Sequence, residues 1–298
     1  MKFTVFTPTY NRASTIHRVY DSLCKQTYKN FEWLIIDDGS TDETRTIVEN
    51  WIGSNQIKIR YFYQENTHKF YTILKAAKIA EGEFIYILDS DDECVPEALD
   101  TFYQTWRNIE NKDNFSGVTG LCIDQFGNRN GDNFPSDQFD SNTLECSLRY
   151  KVKGEKTGIV RTDILKEFQF GNEYFSNGFI PEGVIWYSIA NRGYKTRYIN
   201  KVLRIYYINE GIDSIMNNRN FKKNSFGDMV SNEIMLNSAS KYMRFCPNLI
   251  LKSIVIYSAA SLCQKKSALQ IVKQMRNWKI KMMVILLFPL SFVYYLKS

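Results

Sequence analysis

The chain has 298 residues, 44% hydrophobic and 23% charged, with 20 Phe and 19 Tyr. That supplies one large core, or one core with an appendage, and excludes a disordered chain. The net charge of +6 divides unevenly: residues 1–215 carry 25 Lys+Arg against 30 Asp+Glu, and residues 216–298 carry 13 against 2, so the tail is expected to meet a polyanion, anionic lipid or nucleic acid.

The first 110 residues alternate strand and helix. Lys2–Thr7 reads as a strand, Ser14–Gln26 as a helix with Ile16, Val19, Tyr20 and Leu23 on one face, and Phe31–Ile36 as a second strand. Ser40 and Glu43 are spaced as a capping box opening a helix to about Trp51. Ile57–Tyr63 and Phe84–Leu88 read as strands on either side of a helix over Asn66–Ala80. Strands separated by helices of this length predict an α/β fold with a Rossmann-like, mostly parallel sheet flanked by helices. Residues 124–147 are rich in Gly, Asn, Asp and Ser and read as a long loop. Pro181–Trp186 is expected to start a helix ending near Gly193, and Arg197–Tyr207 has strand character.

Beyond about residue 220 the pattern becomes helical, a C-terminal helical appendage. Ala268, Ile271, Val272, Met275, Trp278 and Met282 fall at helical spacing among lysines and arginines. Met282–Leu296 follows, uncharged and interrupted by Pro289. It falls short of the ~20 apolar residues of a span. A basic helix with a short aromatic-rich end reads as lying in a membrane interface, with packing on the body as the alternative. The uncharged aromatic end fits lipid rather than nucleic acid.

Polar clusters end three of the strands: Thr7-Pro8-Thr9-Tyr10-Asn11-Arg12, Asp37-Asp38-Gly39-Ser40 and Asp89-Ser90-Asp91-Asp92. In a parallel sheet these converge on the carboxyl rim, where open α/β sheets bind ligands. Carboxylates crowded at a strand end repel unless something positive sits among them, most simply a divalent metal. An aromatic ring at Tyr10, a carboxylate at Asp38 able to accept an imide N–H, and the Asp89/Asp91 pair compose a cradle for a nucleotide diphosphate.

TPTYNR, QTYKNFEWLIIDDGSTDET, AEGEFIYILDSDD and PEGVIW together resemble the family 2 glycosyltransferases of the GT-A fold, closely over residues 1–110 and moderately to about 210. The resemblance implies a GT-A catalytic domain over 1–215, with a nucleotide-binding half to about 110 and an acceptor half over 111–215. Residues 216–298 would be a basic amphipathic membrane-associating region. It implies inverting, metal-dependent transfer of a sugar from a nucleotide-diphosphate donor, usually a UDP-sugar, to a glycan or lipid-linked saccharide in surface polysaccharide synthesis. By position, Pro8 and Tyr10 would border the uracil, Asp38 would bind its edge, and Asp37 would hold the turn. Asp91 would ligate Mn²⁺ or Mg²⁺, Asp89 would reach the ribose or the metal, and Ser90 would lie against the nucleotide sugar. For Asp92, a place at the metal and a cap on the next turn stay open.

Inversion needs a base on the acceptor hydroxyl. The family's acidic pair ahead of a helix is Glu182-Gly183 here, so one acid is lost and Glu182 is the candidate. Lys69 matches the basic contact to the diphosphate, with His68 the weaker option. Trp186 would pack under the acceptor, and Tyr206 and Tyr207 would line the pocket or the core. Scattered cysteines without CxxC spacing and an N-terminus without a signal core predict a cytoplasmic enzyme, peripheral on the inner membrane face. The competing readings are a non-catalytic homologue that binds nucleotide or membrane, and a sugar nucleotidyltransferase. The second would want a Gly-rich phosphate loop, and Thr7–Arg12 contains no glycine.

Overall fold

The computed structural model describes residues 1–129, 131–168, 171, 174, 179–208 and 220–298. In chain order the strands are β1 (Phe3–Thr9), β2 (Phe31–Asp37), β3 (Ile59–Tyr63), β4 (Phe84–Ile87), β5 (Glu93–Cys94), β6 (Phe115–Asp124), β7 (Gln138–Ser141), β8 (Lys156–Arg161) and β9 (Lys195–Tyr206). The helices are α1 (Ile16–Cys24), α2 (Thr44–Ser54), α3 (Lys69–Ile79), α4 (Ala98–Arg107), α5 (Thr143–Leu148), α6 (Thr162–Lys166), α7 (Gly183–Asn191), α8 (Phe221–Ala239), α9 (Pro247–Cys263), α10 (Ala268–Gln274) and α11 (Trp278–Lys297).

Two compact units interleave along the chain. The first takes Met1–Ser141, Val152–Gln169 and Lys195–Gly211; the second takes Asn142–Lys151, Phe170–Tyr194 and Ile212–Ser298. The single boundary expected near residue 215 lies outside the described residues.

The first unit is built on one sheet of order β3-β2-β1-β4-β8-β6-β9-β5, with β7 also paired to β9. β1 is parallel to both β2 and β4, and β2 to β3. β8 runs antiparallel between β4 and β6, while β6 and β9 are parallel. The chain lays β2 and β3 to one side of β1 and returns β4 to the other, so the switch point falls between the carboxyl ends of β1 and β4. β2 is buried along its length, as a strand covered on both faces must be. Its Trp33 lies in the core and donates Nε1–H to Thr7 Oγ1 at 2.9 Å. The ring of Trp51, on α2, stacks on Tyr20 at 4.4 Å, closing α1 and α2 over that face.

Residues 124–147 hold more structure than a loop: β7, then α5, whose N-cap Asn142 accepts from Glu145 N–H at 2.9 Å. The signal was the Asn-x-x-Glu spacing inside a polar stretch.

In the second unit, α9 packs against α8 and α11. Tyr257 of α9 is fully buried and donates its O–H to Ile271 O of α10 at 3.1 Å. The tail pattern that read as one helix through Met282 is two. Ser267 and Gln270 form a capping box at α10, and Asn277 accepts from Lys279 N–H to open α11. α11 carries the uncharged run Met282–Leu296 within a helix of 20 residues, long and apolar enough by length and composition to cross a membrane. One face, with Ile280, Val284 and Ser291, is buried; Trp278, Leu286 and Leu290 on the rest are 68%, 72% and 56% exposed.

Candidate active site

The loops after β1 and β2 are laced together. Asn11, with φ 51°, donates its N–H to Ser40 Oγ at 2.8 Å, and its Oδ1 accepts from Thr41 N–H at 2.8 Å. Arg12 N–H donates to Thr44 Oγ1 and Ala13 N–H to Asp42 Oδ2, both at 3.0 Å. The expected Ser40–Glu43 capping box is absent: Ser40 is engaged by Asn11, α2 starts at Thr44, and Asp42 accepts from Thr44 N–H at 3.1 Å instead. Gly39 takes φ +96°, a left-handed turn conformation open to glycine. Tyr10 stands on this loop 48% exposed, and Pro8 pairs with Ile36 in the sheet.

Asp37 and Asp38 divide their work. Asp37 is buried and accepts from Ser40 N–H at 2.7 Å and Tyr61 O–H at 2.5 Å, so it holds the turn. Asp38 Oδ1 accepts from Gln64 Nε2 at 2.7 Å and Thr67 N–H at 2.8 Å, and Oδ2 from His68 N–H at 2.8 Å. A carboxylate offers roughly four acceptor positions, so Oδ2 keeps room for one more N–H. The clamp also forces His68 to φ 71°, ψ 154°, a region that favours glycine, immediately before Lys69 opens α3.

Lys69 points its ammonium at Asp89 Oδ1, 2.6 Å away. Asp91 lies 3.7 Å from Arg12 Nε, and its carbonyl accepts from Arg18 at 3.2 Å. Asp92 is buried, with Oδ2 3.4 Å from Arg204 Nε. Ser90, between them, is buried as well. The positive charge that the carboxylates require is therefore present in the protein itself, as Lys69, Arg12 and Arg204. Burial pushes Asp89 up, and Lys69 and Arg204 more than reverse it, holding its carboxyl below the usual range. Asp92 goes the other way: burial raises it to about 8, with Asp89 and Asp91 adding to the rise against Arg204. It does not act as a helix cap; its N–H bonds Asp89 O and its carboxyl faces Arg204.

Sequence reading did not find Arg204. It sits in β9 opposite Cys94 of β5, the strand that follows the acidic turn, and that pairing brings the guanidinium beneath the carboxylates. Its NH1 lies 3.9 Å from Asp89 and its NH2 3.0 Å from Glu155, so one buried guanidinium ties together three acidic residues. A charged residue inside the apolar run Val202–Tyr206 was the available signal, because a buried charge demands partners. Asp89, Asp91, Glu155, Arg204 and Tyr207 face a cleft of about 330 Å³. Arg18 lies 3.8 Å over the Tyr207 ring, and the Tyr207 hydroxyl bonds Glu93, so Tyr207 walls the cleft. A larger hollow of about 440 Å³ lies at the other end of β4 by Phe84, where Arg161 is already held by Asp163 at 2.6 Å.

Glu182 belongs to the second unit. It is the N-cap of α7, half-buried, and its carbonyl accepts from Ile185 N–H at 2.9 Å. Gly227 of α8 lies so close to Phe179 O that a Cβ there would stand 2.3 Å from it, which lets the segment leading to Glu182 press on α8. Trp186 is half-buried on α7.

Among the described residues no three His, Cys, Asp or Glu side chains are grouped to hold a metal alone. The donor set nevertheless suits a cation shared with a substrate. Mg²⁺-type sites use one or two carboxylates plus phosphate oxygens. Asp91, 34% exposed and met by Arg12 only at 3.7 Å, has a carboxylate to give.

A family model described as Glycosyl transferase family 2 matches residues 4–169. The GalNAc(5)-diNAcBac-PP-undecaprenol beta-1,3-glucosyltransferase of Campylobacter jejuni subsp. jejuni serotype O:2 is 29% identical over 218 residues, 70% of this chain and 65% of its own. The poly(ribitol-phosphate) beta-N-acetylglucosaminyltransferase TarS of Staphylococcus aureus is 38% identical over 101 residues, 33% of this chain and 18% of its own. The chain thus spans less than two thirds of the length of these relatives. In structure it is similar to S. aureus TarS 1-349 in complex with UDP-GlcNAc, with TM-score 0.61 and 18% identity over 95% of this chain and 84% of that one. The mannosyltransferase PcManGT from Pyrobaculum calidifontis, in complex with GDP-Man and Mn²⁺, gives TM-score 0.58 and 16% identity over 99% and 87%. At these identities the likeness is one of fold.

Proposed function

The chain belongs to the family 2 glycosyltransferases, and from that premise we propose that it transfers a sugar from a UDP-sugar to a hydroxyl of a glycan or lipid-linked saccharide, with inversion and with a divalent metal. The observation that carries this reading is the cleft at the β1/β4 switch point, where Asp89 and Asp91 stand among Lys69, Arg12 and Arg204. Tyr10 and Pro8 would border the base, and Asp38 Oδ2 would accept its imide N–H. Lys69, released from Asp89, would meet the diphosphate; Ser90 and Asp89 would lie along the nucleotide sugar. Mn²⁺ or Mg²⁺ on Asp91, with Asp89 as second ligand, would supply Lewis-acid stabilisation of the leaving oxygen. Glu182 would take the proton of the attacking hydroxyl. The donor is supported by the fold shared with a protein solved with UDP-GlcNAc, and the acceptor by the name of the Campylobacter relative.

UDP release from a panel of UDP-sugars, with Mn²⁺ and membrane extract as acceptor, tests this. Wild type should turn over at least one donor, and Glu182→Ala should lose roughly 10²–10⁴-fold, the usual contribution of a positioned base. No release with any donor would overturn the reading; full turnover in Glu182→Ala would remove Glu182 as the base.

We also place the enzyme on the inner face of the cell membrane, bound through the second unit. Support comes from the exposed face of α11, from Arg276 just before it and from Lys279 and Lys281 in its first turn. A helix with one face packed on α9 suits lying in an interface. The full chain should co-sediment with anionic vesicles, and Leu286→Glu with Leu290→Glu should abolish that while leaving the melting temperature in place. Undiminished sedimentation of the double variant would contradict the assignment.

A further inference from the structure

Glu155, one of the three acids that Arg204 ties together, faces the cleft but takes no part in the transfer proposed above. It precedes β8, whose antiparallel pairing to β4 (Ile159 opposite Tyr86) brings the start of β8 to the carboxyl end of β4. Glu155 Oε2 lies 3.0 Å from Arg204 NH2, while NH1 of the same guanidinium lies 3.9 Å from Asp89 Oδ2. The carboxylates of Glu155 and Asp89 therefore flank a single, buried guanidinium. Glu155 is itself 55% exposed, and among the described residues its Oε1 accepts no hydrogen bond. Arg204 holds one oxygen of this half-exposed carboxylate.

A carboxylate is an acceptor only, and it matches hydroxyl donors. In a donor whose diphosphate lies at Asp91 and Lys69, the transferred sugar is attached directly to the terminal phosphate. A group one guanidinium away from Asp89 is within reach of that sugar rather than of the uracil, which Tyr10 and Asp38 serve. We infer that Glu155, held by Arg204, accepts hydrogen bonds from hydroxyls of the transferred sugar and selects neutral hexoses against uronic acids. The inference rests on the reading of the cleft as a UDP-sugar site. A uronate would bring a second negative charge against Glu155, and like charges set together are a standard means of rejecting a wrong ligand.

The test is calorimetric titration of the full chain, with Mn²⁺ present, by UDP, UDP-glucose and UDP-glucuronate. The two sugars differ only in a carboxylate at C6. Wild type should bind UDP-glucose at least about tenfold more tightly than UDP-glucuronate, and Glu155→Gln should bring the two within about threefold, chiefly by gaining affinity for UDP-glucuronate, with a smaller loss for UDP-glucose. UDP alone should bind wild type and Glu155→Gln alike, within about twofold, since no new contact to the nucleotide is lost. A wild type that binds UDP without preferring the neutral sugar overturns the inference and leaves the cleft reading standing. An unchanged preference in Glu155→Gln, or an equal loss for UDP and UDP-glucose, overturns it too. A wild type that binds no UDP at all overturns the cleft reading and the inference with it.

Discussion

Arg204→Met is expected to be the most damaging single substitution in the first unit. The side chain is 9% exposed and is the common partner of Asp89, Asp92 and Glu155. Removing one member of a buried ionic cluster leaves the others uncompensated and costs about 3–5 kcal/mol. Asp92 loses the larger of the two charges that oppose its upward shift, leaving Lys69, and Asp89 keeps Lys69 at 2.6 Å and the weaker pull of Arg12. Thermal unfolding should show the stability loss. UDP release, measured at a temperature where the variant is folded, should fall by about 10²-fold or more, because misplaced acid groups no longer present their geometry to the donor. Arg204→Lys retains the charge but not the planar fork, and it should recover stability better than turnover. A variant with near-wild-type melting and turnover would show that the three acids are held by something else.

Asp91→Asn should have the second largest effect, and of a different kind. Asp91 is 34% exposed and carries only a long contact to Arg12, so folding has little to lose. Turnover should drop by roughly 10²–10³-fold, on the scale of losing one electrostatic stabiliser of the transition state. Melting temperature should stay near wild type. The contrast matters: Arg204→Met is expected to lose stability and activity together, Asp91→Asn activity alone.

Much of this site was legible because local chemistry and topology agreed. The polar clusters after β1, β2 and β4 lie at one rim, and the alternation of strand and helix was enough to bring them there. Asp37 was expected from the family resemblance to hold the turn, as its bonds from Ser40 and Tyr61 do, while the role of Asp38 at the base edge stays a proposal. Asp38 proved to be a clamp on residues 64–68 as well, which spacing could not reveal because two of its partners are backbone N–H groups, which any residue supplies. Lys69 was found by type, but its neighbour was not: it bonds Asp89, across the β1/β4 switch.

Arg204 and Glu155 were missed for one reason. Both reach the cleft through pairings between distant segments, β5 with β9 and β4 with β8, and these antiparallel pairings in a mixed sheet leave little local signature. The three cations also change the meaning of the acidic turn. From sequence, crowded carboxylates called for a metal to hold them; in the fold, protein cations already do so. A metal is therefore argued from what a leaving diphosphate needs and from the availability of Asp91, not from repulsion among the aspartates. The helical tail was misread at one point, where Asn277 caps a new helix inside a pattern whose apolar spacing ran on unbroken.

The central claim is that Asp91 anchors a divalent cation against a nucleotide diphosphate at the β1/β4 rim. Titrating UDP into the full-length chain, with and without Mn²⁺, tests it without requiring the acceptor to be known. Mn²⁺ should tighten UDP binding by about tenfold or more in wild type, on the scale of a charge-assisted contact, and Asp91→Asn should remove this gain. UDP binding that is indifferent to Mn²⁺ in wild type, or a gain that survives intact in Asp91→Asn, would contradict it.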